Sequence, residues 1–322
     1  MQRLKSLILW ISLPFFVGIT ACTIETATPI KSEALVIASD FLYEEDTVLF
    51  ADFSKKNSVR LIIRHLSSDE MISEMTSKGY NSGIDLVFSD NMQTPVKLNK
   101  QGILQDLVEI EKGVKTQNPY ISYRHNFVGV GLDPLVFKYT SDSTQEARSY
   151  SDLINTPHYH TLSRSEVISF LSPMRRKMNR AKTYEWTQKW AKTTAFRPEK
   201  GPWSDSAQFV LCKFSQLEQI NDSLWAKYPD EIVFPNTEST GIYFDLISVS
   251  IVQQAEHFSD AKKFLEHYQN SGYNATLNKK LSRFPVYDYL KIRTEGPKFS
   301  SIHIDQLLKY HDVLDRMLDK IF

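Results

Sequence analysis

Cysteine is nearly absent: the chain holds two, Cys22 and Cys212. With Cys22 used in another way, as argued below, no internal disulfide is expected even in an oxidising compartment. Glycine is scarce as well, 11 residues without a cluster, so no glycine-rich loop offers its backbone to a phosphate or a dinucleotide. There is no excess of charge. The 38 basic residues balance 38 acidic ones, which leaves no electrostatic footprint for nucleic acid. Past the N-terminus no apolar run is long enough to span a bilayer. The spacings G-x-S-x-G, H-E-x-x-H and C-x-x-C do not occur. These absences argue against an enzyme. A hydrolase built on dispersed acids stays open as an alternative, because fold does not fix function.

What is present begins with Arg3 and Lys5, followed by the apolar run LILWISLPFFV (7–17) and then Ile19-Thr20-Ala21-Cys22. A positive start, a run too short for a comfortable span and small residues directly before a cysteine form a lipoprotein signal-peptide pattern over 1–22. Cys22 is then the lipidated first residue of the mature chain. An ordinary secretion signal cut nearby is the alternative. Residues 23–33 read as a polar tether. The expected location is the periplasm or the cell surface, with the lipid on Cys22 as membrane anchor. Cys212, inside the strand-like FVLCKF, is expected to be a buried apolar residue.

Beyond the tether, apolar strand candidates alternate with helical stretches. ALVIA (34–38), VRLII (59–63) and IDLVF (84–88) are each followed by a helix, near 45–56, from 67, and near 92–101. The second helix opens on Ser67-x-x-Glu70, a capping box. This alternation argues an α/β fold with mainly parallel sheets, in which ligands lie at the carboxyl ends of the strands. FVGVG (127–131) and LVFKY (135–139) read as two extended pieces broken by Asp133-Pro134. Helices are expected near 166–179, 182–193, 259–269 and 304–321, and further strands at FVLCKF, 232–234 and 247–252.

Asp69-Glu70-Met71-Ile72 through Lys78-Gly79-Tyr80-Asn81-Ser82-Gly83-Ile84-Asp85-Leu86-Val87-Phe88 resembles the DELI…G.NS.ADV signature of periplasmic iron(III)-type substrate-binding proteins of ABC importers. Gly102-Ile103-Leu104-Gln105, Tyr150-Ser151-Asp152-Leu153, Trp190-Ala191-Lys192, Val233-Phe234-Pro235-Asn236, the 259–266 helix and Phe284-Pro285-Val286 are similar to later family segments, in the same order. The resemblance implies two α/β lobes of the type II periplasmic-binding-protein kind, with ligand in the cleft between them. Lobe 1 is expected at 34–132 plus 238–275, and lobe 2 at 133–237 plus 276–322. An ABC permease is the implied protein partner and a monomer the implied state. Iron is the metal implied by the family alone, as bound cargo with no resident cofactor. Tyr43 matches a tyrosine that often ligates iron in the family, since a phenolate is a hard oxygen donor.

The chain departs from that pattern where metal binding is concentrated. The segment matched to the family's tyrosine pair is Asn221-Asp222-Ser223-Leu224-Trp225, and Gly131-Leu132-Asp133-Pro134-Leu135 lacks the family's arginine. Acids and aromatics stand at the expected strand ends instead: Ser39, Asp40, Tyr43, Asp90, Asn91, Asp205, Ser206, Asp222, Trp225, Tyr243 and Asp245. Grouped carboxylates repel one another unless a cation is present, and aromatic faces attract cations. The expected ligand is therefore cationic, a metal ion in an altered shell or an organic amine. Helix and turn capping is the plainer role for each aspartate. Ser163-Arg164 before a helix is a candidate anion contact. His158-x-His160 is read as a loop with incidental histidines. A sensory or surface-receptor lipoprotein with the same shell is the alternative function.

Overall fold

The computed structural model describes residues 34–107, 126–139, 147–196, 209–220, 232–269, 271–286, 298–300 and 304–322. The signal peptide, the tether and Cys22 lie outside them, as do Asp205, Ser206, Asp222 and Trp225. Among the described residues no helix is long and apolar enough to cross a membrane.

The first half is built as the alternation predicts. β1 (Ala34–Ser39) is buried along its whole length. A central strand covered on both faces reads as an unbroken apolar run for that reason. A 3-10 segment (Glu44–Phe50) and α1 (Ala51–Asn57) lead into β2 (Arg60–His65). α2 (Ser68–Lys78) starts at the expected capping box: the Ser67 N–H donates to the Glu70 carboxylate at 2.9 Å, and the Glu70 N–H donates back to Ser67 Oγ. β3 (Leu86–Ser89) and α3 (Gln93–Lys100) follow. β2 and β3 flank β1 in parallel, so His65, Ser39 and Ser89 end on the same edge of the sheet.

β4 (Val128–Tyr139) differs from expectation. Asp133-Pro134 does not split it; one twelve-residue strand runs through both. Val128–Pro134 pairs with β9 (Phe244–Ile251), whereas Leu135–Tyr139 pairs with β7 (Phe209–Lys213). Pro134 falls at the change of partner, where a missing N–H costs the ladder least. Beyond β4 come β5 (His158–His160), α4 (Arg164–Lys177), α5 (Arg180–Thr193), β6 (Thr194–Phe196), and α6 (Phe214–Ile220) after β7. β8 (Ile232–Val233) precedes β9, and α7 (Phe258–Tyr268), α8 (Ser271–Lys280), β10 (Phe284–Pro285) and α9 (Ile304–Leu318) close the chain.

The strand order is β2-β1-β3-β9-β4-β7-β5-β6, with β8 and β10 both paired to β4. Pairing is parallel within each half, at β1/β2, β1/β3, β5/β6 and β5/β7. It is antiparallel wherever β4 or β9 takes part. β4 and β9 are thus the strands the two halves share. Each half has its own core. One gathers Phe50, Phe53, Phe88, Phe264 and Tyr268; the other gathers Phe137, Tyr150, Phe170, Trp190 and Phe209. The expected change of lobe at 275 falls inside α8, whose Leu277 belongs to the first core. α8 also grips β4: Asn274 and Asn278 both donate from Nδ2 to the Val130 carbonyl, at 2.8 and 3.0 Å, beside the irregularity between Gly129 and Gly131.

Candidate ligand-binding cleft

The carboxyl ends of β1, β2 and β3 face the start of α4, the β7–α6 junction and the segment between α8 and β10 across a cavity of about 450 Å³. Asp40, Phe41, Tyr43, His65 and Asp90 line it from the first half. Thr161, Ser163, Glu166, Lys213, Ser215 and Gln216 line it from the second, and Lys280, Leu281 and Arg283 complete the wall.

Asp40 is the hub of the first wall. Its Oδ2 accepts from Ser68 Oγ at 3.0 Å, Ser89 Oγ at 2.6 Å and Asn91 Nδ2 at 2.9 Å, and its Oδ1 accepts from the Asp90 N–H at 2.9 Å. These bonds tie the ends of β1 and β3 to the start of α2. Burial, and then the neighbouring Asp90 charge, push the Asp40 carboxyl up to about 6 against the pull of its hydrogen bonds.

Lys213, the last residue of β7, reaches across the cavity. Its Nζ stands 2.7 Å from Asp90 Oδ2 and 2.6 Å from Glu166 Oε1, and its side chain is 3% exposed. Burial alone would lower the ammonium. The charges of Asp90 and Glu166, with Asp133 and Asp245 behind them, outweigh burial and hold it well above the usual lysine range. Asp90 responds in the opposite sense: burial would raise it, but Lys213 and Arg283 keep it below the usual carboxylate range. Arg283 lies 3.5 Å from Asp90 and 3.6 Å from Asp133, with its guanidinium 4.1 Å over the Phe41 ring.

Asp133 and Asp245 face each other directly across the β4–β9 ladder. Burial raises the first and raises the second well above the usual carboxylate range. Ser169 Oγ donates to Asp245 Oδ1 at 3.0 Å, and Ser215 donates to Asp133 from both its N–H and its hydroxyl. At the mouth, Tyr43 is half exposed and stacks on His65, with ring centroids 4.0 Å apart. His65 Nδ1–H donates to the Leu42 carbonyl, which fixes that ring.

The structure brings Asp40, Tyr43, Asp90 and Ser163 together around the cavity. Asn91 supports them from behind, with its Nδ2 on Asp40 and its Oδ1 accepting the Gln93 and Thr94 N–H groups at the start of α3. Ser39 is fully buried and caps the turn after β1 by accepting the Phe41 and Leu42 N–H groups. Three expected site residues are placed away from the cavity lining. Arg164 pairs with Asp315 on α9 and with Asp319 just past its end. Tyr243 belongs to the second core, stacked on Tyr150 at 4.3 Å. Asp245 is buried beneath the cavity rather than lining it. Arg164→Ala should therefore leave ligand affinity unchanged and cost about 1 kcal/mol or less of stability, as exposed ion pairs do; ligand titration and urea unfolding of the variant check both.

His158-x-His160 is also not a loop. It forms β5, where His158 Nδ1–H donates to the Thr156 carbonyl and Nε2 accepts from Trp190 Nε1 at 2.9 Å. Burial holds both histidines down at about 4, in the neutral form. Sequence reasoning missed Glu166, Lys213 and Arg283. The available signal was a lone lysine closing the buried strand FVLCK, a costly place for a charge without partners.

No family model and no curated protein sequence matches the chain. Solved structures do. A Trichodesmium IdiA/FutA protein in complex with iron and citrate superposes with a TM-score of 0.71 at 17% identity, over 89% of this chain and 99% of that one. The ferric binding protein from Campylobacter jejuni gives 0.71 at 14% identity, over 89% and 99%. FutA2 from Synechocystis, without ligand, gives 0.70 at 16%, over 90% and 99%. The chain has the fold of the periplasmic ferric-binding proteins. Within this two-lobed fold, β4 and β9 are the strands that the two halves share, and the cavity is lined by residues of both halves.

Proposed function

We propose that this chain is the extracytoplasmic solute-binding protein of an ABC importer, held at the membrane by lipid on Cys22, and that its cleft takes a small cationic solute. The lobe boundaries run through β4 and β9. Closure of the lobes around the solute signals the loaded state to the permease. The observation that carries the ligand class is the charge count at the base of the cleft. Five carboxyls, Asp40, Asp90, Asp133, Glu166 and Asp245, share two buried cations, Lys213 and Arg283. Lys280 adds a third cation at the wall, but it is exposed to water. Burial raises the carboxyls of Asp40, Asp133 and Asp245, and neighbouring carboxylates add to the rise at Asp40 and Asp245. The aromatic faces of Tyr43 and His65 at the mouth suit an approaching cation.

Titration calorimetry of the mature chain against polyamines, metal ions and small anions tests this function. One cation should bind saturably and without turnover. Tight binding of anions alone would reject it. The pH dependence follows from Asp40. Its carboxyl ionises near 6 in the folded chain, so cation affinity should rise as pH increases through about 6 and fall below it, with proton release on binding. Calorimetry in two buffers of different ionisation heat measures that release. Incubating cells with a labelled fatty acid, with Cys22→Ala as the unlabelled control, tests the anchor.

A further inference from the structure

The Lys213 ammonium occupies a position that a metal ion could take. Two carboxylate oxygens from opposite walls, Asp90 Oδ2 and Glu166 Oε1, converge on Nζ at 2.7 and 2.6 Å. Calcium–oxygen bonds run at about 2.3–2.6 Å and zinc–oxygen bonds at about 2.0–2.2 Å, so a small contraction would turn this pair into metal ligands. The lysine is held in place. Its side chain is 3% exposed, its backbone N–H donates to Gln216 Oε1 at 3.0 Å, and the surrounding carboxylates favour its charged form. A metal ion entering this pair would have to stand beside a second positive charge or drive a buried ammonium out of its ion pairs. Among the described residues no group of three His, Cys, Asp or Glu side chains is placed to hold a metal ion, so this pair is the place where a cation is already coordinated.

We propose that Lys213 is the selectivity determinant of the cleft: a tethered cation that fills the Asp90–Glu166 oxygen pair, excludes bare metal ions and leaves the mouth of the cavity to an organic cation. This rests on the solute-binding function proposed above and narrows its ligand from cations in general to organic ones. The ligand engages Tyr43, His65 and the outer part of the cavity, where its charge need not compete with Lys213 for the same oxygens.

The test uses the full mature chain with calcium, zinc, iron(III) citrate and spermidine as probes, read by native mass spectrometry and thermal unfolding. The wild type and Lys213→Arg, which keeps the charge, should retain no metal ion and show no metal-dependent rise in unfolding temperature. Lys213→Met should retain one metal ion per chain, about tenfold or more tighter than the wild type, and its unfolding temperature should rise with added metal. A wild type that holds metal as tightly as Lys213→Met overturns the role of Lys213, as does a folded Lys213→Met that gains no metal. If Lys213→Met fails to fold even with metal present, the wild-type titration decides: metal binding there overturns the proposal, and its absence upholds it. Failure of spermidine and every other amine to bind the wild type strikes instead at the cationic-solute function, and the metal gain in Lys213→Met still reports on Lys213.

Discussion

Replacing Lys213 by alanine should cost about 3–5 kcal/mol of folding stability, the usual penalty for removing one partner from a buried ion pair. The penalty comes mainly from what is left behind. Asp90 Oδ2 and Glu166 Oε1 lose the ammonium that sits within 2.7 Å of both, in a site where burial already pushes Asp40, Asp133 and Asp245 towards the protonated form. Urea unfolding of the variant measures the loss. Adding Asp90→Asn and Glu166→Gln to Lys213→Ala should recover a large part of it, because neutral amides no longer need the cation. A triple variant as unstable as the single one would show that the lysine acts through packing of its stem. The two carboxylates come from different halves of the chain, so Lys213 is a strut as well as a charge. Its loss should also make the cleft easier to open, seen as faster amide exchange at the start of α4 and at the end of β3.

Gly241→Ala should be comparably damaging, at roughly 3 kcal/mol or more from backbone strain and overpacking together. Gly241 has φ of +83°, and a Cβ there would stand 2.5 Å from the carbonyl carbon and oxygen of Phe299 and 2.7 Å from the Ser300 nitrogen. These are backbone atoms and cannot swing aside. They are also tied to the same place, since the Ile242 N–H donates to the Lys298 carbonyl at 2.8 Å and the Ser300 N–H donates to the Ile242 carbonyl at 2.9 Å. The clash would land just before β9, one of the two strands shared by the two halves of the sheet. Gly83→Ala is the matched control. Its φ is +65° in the left-handed helical region but nothing lies within 4 Å of the added carbon, so only a strain of roughly 1–2 kcal/mol should appear. Equal losses at the two positions would show that the contact with 298–300 adds nothing to the strain at Gly241.

What could be read from the sequence was what is decided locally. The strand β1 announces itself because both of its faces are covered. The start of α2 does so because Ser67 and Glu70 satisfy each other's backbone groups within one turn. Asp40 and Tyr43 were found because they follow a buried strand directly, at the edge where this class of fold binds ligands. What could not be read depends on partners far along the chain. Pro134 looked like a break because nothing local reveals that β4 changes partner there. The partners of Arg164 stay hidden in the sequence because its acids, Asp315 on α9 and Asp319 just past it, lie about 150 residues away. Lys213 meets Asp90 across 123 residues, so the cations already present in the acidic cleft were invisible until the chain was folded. Tyr243 was misplaced by proximity in sequence to Asp245: it lies just before β9, and its ring stacks on Tyr150, about 90 residues earlier, in the second core.

The most direct measurement is calorimetric titration of the mature wild-type chain with an organic amine and, separately, with a small carboxylate or phosphate anion, each at pH 5 and pH 7.5. The amine should bind in a 1:1 complex at pH 7.5, weaken at pH 5 and release protons as it binds. Tight binding of the anion with no heat from any amine at either pH would contradict the cationic cleft.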